Sequence, residues 1–516
     1  MIKEKINILR KVVAIFITIL LVFPINIYAI ENEQNLKDTT DINNREEEQV
    51  TAVDENGKVL PLNQVEENMP EEDDDSDNRS VQTFSMARTT INNSSVAVVN
   101  FNTKGNAVTN YTEDGTNRAG YTNGAFGADG AFLGYDNESS PKKVKFMQSG
   151  VIGWVSVSDV QVVDYNSVQT LTKYYVSGGR LYHGLSTKIS NTTYASRIDC
   201  GPKPSYLKEG TNYYSYDGHY FYEGSTRASY SNMLTDYRNN VRTHSVNNSS
   251  PFYNYYQYLS HRSITKYSAS QLNNAINYFL QSYSNNSKSK MRNMGSDFIS
   301  NQNKYGINAL MMIGVAANES QWGLSNIAQT KNNLFGHKAY DSDPSGSSNG
   351  YSSPSFSIYY HASQFLSLGY LDPITDSRYY GAILGDKAGG VGVKYASDPY
   401  WGEKNAGMCW RIDSYLGGTD SYRYTIGIKD TLSNKHTVAN IKSSSNDSST
   451  TLYSSYPISS KSTYKTYAPS HYAFIVINNE QVNGFYKIQS DGSINNARNG
   501  IVVQSEYNFD KAYGYV

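Results

Sequence analysis

Cysteine is almost missing from this chain: Cys200 and Cys409 are the two found in 516 residues. A scaffold stapled by disulfides is excluded, and spacing does not say whether these two pair. Metal-binding spelling is absent too. The eight histidines are scattered, with no H-E-x-x-H or C-x-x-C arrangement, so no metal and no cofactor is expected. His337 and His361 read as satisfied or exposed histidines rather than ligands. Past the first thirty residues there is no long apolar run, so no further membrane span is expected. No basic helix or base-stacking motif suits nucleic acid.

The N-terminus does hold an apolar run. Lys3, Lys5, Arg10 and Lys11 precede apolar residues 12–23, Pro24 and a candidate cleavage point after Ala29. This predicts a secretory signal peptide at 1–29, with an apolar stretch short for a membrane span. Ile27 at the third position before cleavage is not small, which leaves an uncleaved anchor as the alternative. Charge is uneven. Residues 1–30 carry +3 and residues 31–78 carry −14, so with −2 overall the remainder carries +9. Residues 30–90 predict an acidic disordered linker, because the stretch repels itself and has little to bury. The basic remainder fits an anionic partner.

Periodicity divides the rest. Residues 91–165 read as a β-rich module containing VAVVNF, YTNGAFGADGAFLGY and KVKFMQSGVIGWVSVSDVQVV. Residues 166–228 form a second, in which Asp217-Gly218 predicts a two-residue hairpin turn between Tyr213–Tyr216 and His219–Tyr222. Forty-six tyrosines are a heavy load. On open strands Tyr213, Tyr214, Tyr216, Tyr220 and Tyr222 could stack on sugar faces, but alternation predicts that about half of them pack inward. Residues 426–516 return to β character.

Residues 229–425 read as helical. Ser268 and Gln271 spell a capping box ahead of a stripe of Leu272, Ile276, Phe279, Leu280 and Tyr283. Further helices are expected over 289–303, over 310–319, around 361–371 and around 404–415, with an irregular hairpin or flap at 341–360. At the end of the third helix stands Glu319, beside Trp322 and a Gly323 able to turn the chain. Leu310, Ile313, Gly314 and Ala317 share one face. A carboxyl half-covered by apolar neighbours loses hydration of its charged form and its pKa rises, which suits a general acid for a glycosidic oxygen. A solvated glutamate at a helix end would be spelled the same way.

Three blocks in order, E-S-Q-W-G-x-S-x-I-A from Glu319, N-N-L-F-G from Asn332 and Y-A-S-D-P-Y from Tyr395, resemble the glycoside hydrolase family 73 domain of bacterial endo-β-N-acetylglucosaminidases, the autolysin type. The resemblance covers roughly 250–420. It implies a lysozyme-like, mainly helical catalytic domain; the β-rich ends separately resemble bacterial SH3-type wall-binding modules, so an α+β multidomain chain with small flanking SH3-like modules is expected. Glu319 would be the catalytic acid and Tyr395 would face the reacting sugar. Trp322, Asn333, Phe335, Asp398 and Tyr400 would belong to the substrate site. The expected partners are peptidoglycan glycan strands and anionic wall polymers, and the expected location is outside the cell on the wall. No sorting signal or apolar tail is visible at the C-terminal end, so non-covalent retention by the β modules is expected.

The second catalytic group stays open. Residues 344–371 contain no Asp or Glu, where relatives often place a hairpin glutamate. Asp341, in an Ala-Tyr-Asp context resembling large wall autolysins, is preferred over Asp343, Asp398 and Glu403, although it could equally be a turn residue. Assistance from the substrate's N-acetyl group, positioned by Tyr395, would dispense with a second carboxylate. A muramidase or lytic transglycosylase, or an inert wall-binding adhesin, are the competing functions. Removing residues 91–225 is expected to weaken wall association more than cleavage of soluble fragments.

Overall fold

The computed structural model describes residues 50–53, 59–61, 91–337, 350–429, 438–455, 472–493 and 505–516. The expected signal peptide, most of the acidic stretch, Asp341 and Asp343 lie outside the described residues. All described residues fall in one unit, Asn44–Val516.

Strands β1 (Val50–Val53) and β2 (Val59–Pro61) pair antiparallel. Next come β3 (Ala97–Asn100), β4 (Val108–Glu113), β5 (Ala119–Asn123), β6 (Asp129–Tyr135), β7 (Lys143–Gln148), β8 (Val151–Ser156) and β9 (Gln161–Asp164). They form one antiparallel sheet in the order β5-β4-β8-β7-β6-β3-β9. In β8 the residues alternate between buried and half-buried, as expected of a strand with one face on a core. A second sheet, β12-β11-β10-β13-β14, uses β10 (Lys173–Ser177), β11 (Arg180–Leu185), β12 (Ser196–Pro202), β13 (Asn212–Tyr214) and β14 (Tyr222–Glu223).

The hairpin at Asp217-Gly218 differs from expectation. The ladder stops at Tyr214↔Tyr222, leaving residues 215–221 as a loop. Its cause is Asp217, whose Oδ1 accepts hydrogen bonds from Ser215 Oγ and from the N–H groups of His219 and Tyr220. That Asx arrangement competes with a tight turn. The five tyrosines also depart from the alternating expectation: Tyr213, Tyr214, Tyr216, Tyr220 and Tyr222 are all buried. Because the segment is looped between the two sheets and α1 (Arg227–Asn239), residues on both sides of it find a core, and none of the five offers an open ring.

The helical region contains α2 (Tyr255–Tyr258), α3 (Ala269–Leu280), α4 (Gly295–Tyr305), α5 (Ala309–Ser320), α6 (Asn326–Lys331), α7 (Pro354–Tyr360), a π-helical segment over His361–Tyr370, α8 (Gly392–Tyr395) and α9 (Trp401–Tyr415). Ser268 and Gln271 make the reciprocal capping box, and Leu272, Ile276, Phe279 and Leu280 are buried in the main core. Helix α4 starts later than residue 289. Residues 289–291 are instead used to receive the chain after α5, with Lys290 N–H donating to Gly323 O and Ser289 Oγ to Trp322 O. The expected flap is also partly helical, since Ser353 caps α7 through Phe356 N–H and Pro354 takes the first position.

A C-terminal sheet, β15-β18-β19-β20-β16-β17, comprises β15 (Thr425–Lys429), β16 (Asn440–Lys442), β17 (Thr451–Ser454), β18 (Tyr472–Val482), β19 (Phe485–Gln489) and β20 (Tyr513–Tyr515). The architecture is thus a mixed one, a helical region between sheet-rich regions. Both cysteines are buried free thiols. Among the described residues no helix is long and apolar enough to cross a membrane.

Candidate active site

Helix α5 begins on Asn308, whose Oδ1 accepts from the N–H groups of Leu310 and Met311. Every residue of α5 except Glu319 is buried. A helix apolar on all sides belongs inside a core, so Glu319, partly buried in its last turn, marks where that core meets the surface. Beyond it Gln321, Trp322 and Gly323 all take left-handed φ values of 50°, 58° and 77°. Such a conformation costs roughly 1–2 kcal/mol for a residue with a Cβ, and the surroundings hold it. Ser320 Oγ donates to Ala316 O at 2.5 Å and accepts from Gly323 N–H at 2.8 Å. A Cβ on Gly323 would lie 2.7 Å from Met291 N, so only glycine fits there.

The three sequence blocks close into a ring around Glu319. Trp401 Nε1–H donates to Glu319 Oε1 at 2.6 Å. The Trp401 ring stacks on Tyr395 with centroids 4.5 Å apart. Tyr395 O–H donates to Phe335 O at 2.6 Å, and next to Phe335 a Cβ on Gly336 would lie 3.3 Å from Glu319 Oε2. Gly336 has φ 63°, the second reason for glycine at that point. Tyr395 is itself buried, with its hydroxyl spent on backbone rather than aimed at an open face.

Asn333 builds the turn of the second block. Its Oδ1 accepts from the N–H groups of Phe335 and His337, and its Nδ2 donates to His337 O. Phe335 lies flat on His361 at 3.7 Å. His361 Nδ1 in turn meets His337 Nε2 at 3.0 Å. Burial, then the neighbouring His337 and His261, push the His361 imidazole well below its ordinary range, so it is neutral. Trp322 is fully buried and stacked on Phe279 at 5.1 Å. The structure therefore brings Glu319, Phe335 and Tyr395 together and places Trp322 behind them in the core.

Asp398 and Tyr400 stand on the loop before α9. Asp398 Oδ2 pairs with Lys404 Nζ at 2.5 Å and its Oδ1 accepts from Tyr400 N–H, both carboxyl oxygens inside the protein. The first sheet clasps this loop: Asn123 N–H donates to Ser397 O, Ser149 Oγ to Pro399 O, and Tyr121 O–H to Lys394 O. The second sheet reaches the same place through His183, which packs edge-on to Tyr400 at 5.0 Å and pairs with Glu403 at 2.7 Å. Tyr174 O–H and Cys200 Sγ–H also donate to Glu403. Burial opposes the Glu403 charge, but His183 and these donors more than offset it and hold the carboxyl below its usual range. Asp398 and Glu403 are thus both engaged in buried pairs. Sequence reasoning passed over Trp401, although it directly follows the Y-A-S-D-P-Y block, and passed over Lys404 as the partner of Asp398. Among the described residues no cluster of three or more His, Cys, Asp or Glu is arranged to hold a metal ion.

Residues 295–414 match the glucosaminidase family, described as mannosyl-glycoprotein endo-beta-N-acetylglucosaminidase. The chain therefore carries a glucosaminidase-family domain, and that domain contains Glu319, Trp401 and all three blocks. Two curated relatives, each named "Putative endo-beta-N-acetylglucosaminidase", come from Streptococcus pneumoniae strains TIGR4 and R6. Each is 30% identical over 290 residues, 56% of this chain. The chain covers 37% and 35% of their respective lengths, so it spans little more than a third of the relatives it matches. Among solved structures, S. aureus autolysin E is similar at 21% identity and a TM-score of 0.23, covering 32% of this chain and 73% of that one. A catalytic mutant of that autolysin, in complex with the disaccharide NAG-NAM, aligns at 19% identity with the same score, over 32% of this chain and 75% of that one.

Proposed function

We propose that the chain is an exported peptidoglycan hydrolase of the endo-β-N-acetylglucosaminidase type, cutting the β-1,4 bond after N-acetylglucosamine. The observation that carries this is Glu319. It is the one residue of α5 that is not fully buried, it is held by Trp401 directly after the third block and approached by the second, and it lies inside the glucosaminidase match. A carboxyl so fixed can deliver a proton to a leaving glycosidic oxygen. The catalytic region is read as lysozyme-like and the sheets as SH3-like wall-binding modules, with the residue boundaries given from sequence. The basic remainder of the chain suits anionic wall polymers. Tyr395, Phe335 and Asn333 serve by shaping the wall beside Glu319, while Trp322, Asp398 and Tyr400 support it from inside.

Two carboxylates, Asp398 and Glu403, are spoken for by Lys404 and His183. That leaves Asp341, preferred over Asp343, as the second group, or assistance from the substrate's own N-acetyl carbonyl. The bond specificity is tested by digesting purified peptidoglycan with residues 30–516, reducing the products with borohydride and identifying the reduced sugar by mass spectrometry. Reduced N-acetylglucosamine is expected. Reduced or anhydro-muramic ends would replace the reading with a muramidase or transglycosylase, and wall binding without soluble products would replace it with an inert adhesin.

A further inference from the structure

We infer that Trp401 is a positioning residue for Glu319: its indole N–H fixes one carboxyl oxygen and shifts the pH range over which the acid is protonated. This inference rests on the reading of Glu319 as the acid. The contact is short, 2.6 Å, and is made where water has little access, since Trp401 is 2% exposed and Glu319 only partly so. In such surroundings a hydrogen bond is electrostatically stronger than at the surface. A donor to the carboxylate favours its charged form, so losing the indole N–H would favour the neutral one.

The indole is itself held in place. Tyr395 stacks on one side at 4.5 Å and is tied to Phe335 O. A Cβ on Gly392 would touch Trp401 Cε3 at 3.4 Å, so the backbone of α8 backs the ring. Trp401 opens α9, whose charged residues near this end, Glu403 and Lys404, are closed into pairs with His183 and Asp398. Neither of those pairs includes the carboxyl of Glu319. The indole is thus the donor that links the third block to the acid, and Tyr395 acts on the acid through it.

Two measurements test this. The chain has four tryptophans, and Trp154 and Trp410 donate to Asp114 and Asn254 instead. With 15N-labelled indoles in the full chain, the Trp401 N–H resonance should move with pH at the alkaline limb of the activity profile, and this movement should vanish in Glu319→Gln. In Trp401→Phe, which keeps a ring and loses the donor, kcat should fall about tenfold with KM little changed. The alkaline limb should move to higher pH by roughly half a unit to one unit. Trp401→His, which restores an N–H, should bring the limb back. A pH-independent Trp401 resonance, or a folded Trp401→Phe protein whose limb stays in place, would overturn the inference. If Glu319→Gln itself stays active, the assignment of the acid fails instead, whatever Trp401 does.

Discussion

Gly336 is the position where one methyl group would be felt at the acid. A Cβ there would sit 3.3 Å from Glu319 Oε2, and its φ of 63° disfavours any side chain by about 1 kcal/mol or more. Gly336→Ala is expected to cut kcat at least tenfold while the thermal unfolding temperature falls only slightly; unchanged kcat would mean the second block does not shape the site. Asp398 predicts the opposite balance. Removing it by Asp398→Ala leaves Lys404 charged and unpaired inside the protein, a loss on the order of 3–5 kcal/mol in stability. Chemical denaturation should show that loss, and a variant as stable as the parent would contradict the buried pair. At this scale the place of Glu319, at the end of an apolar helix, was legible from the apolar run before it. Trp401 was not, because a hydrogen bond between residues 82 positions apart leaves no local periodicity. Nor did residue type alone say that Asp398 has a lysine within reach: that depends on the first turn of α9.

Among the elements, the seven-stranded and five-stranded sheets bear on the site more directly than expected of appended modules. Strands β5, β7 and β8 bring Tyr121 onto the end of α8 and Ser149 onto the loop that follows it, and β10, β11 and β12 deliver Tyr174, His183 and Cys200 to Glu403 on α9. Helix α9 also packs closely on β12, where a Cβ on Gly407 would lie 3.1 Å from Asp199 O and one on Gly201 2.4 Å from the Trp410 ring. The expected result of deleting residues 91–225 therefore changes. Hydrolysis of soluble glycan fragments should fall together with wall binding, because Glu403 and the loop before α9 lose their partners. Undiminished cleavage by the truncated protein would contradict this. Strands and helices were readable here from alternation and from the capping box. The loop at Asp217 was not, since a side chain that bonds to three backbone and side-chain donors overrides the turn preference of Asp-Gly.

Over the whole molecule, the C-terminal sheet is joined to the helical region through buried polar groups. Arg262 is fully buried and donates to Asp491 O and Tyr305 O, and Tyr379 and Tyr472 both donate to Asp491 Oδ2. Burial pushes the Asp491 carboxyl up to about 6, against the pull of the two tyrosine hydroxyls and Arg262. The folded chain then holds this proton more tightly than the unfolded one. Its stabilising contribution is complete below the unfolded pKa near 4 and is lost as the pH rises through about 6. Asp491→Asn should become progressively more stable relative to the parent between pH 4 and pH 6 in thermal unfolding. A constant difference across that window would contradict the assignment. None of this joint was visible in sequence, because its parts are spread from Arg262 to Asp491 and none of them belongs to a motif.

The central claim is that Glu319 protonates the leaving group in peptidoglycan. The most direct measurement is the turnover of purified walls by Glu319→Gln beside the parent chain, with wall binding measured on the same preparations. The account predicts binding within a few-fold of the parent and turnover lower by a factor on the order of 10³. Turnover close to that of the parent, with folding intact, would contradict it.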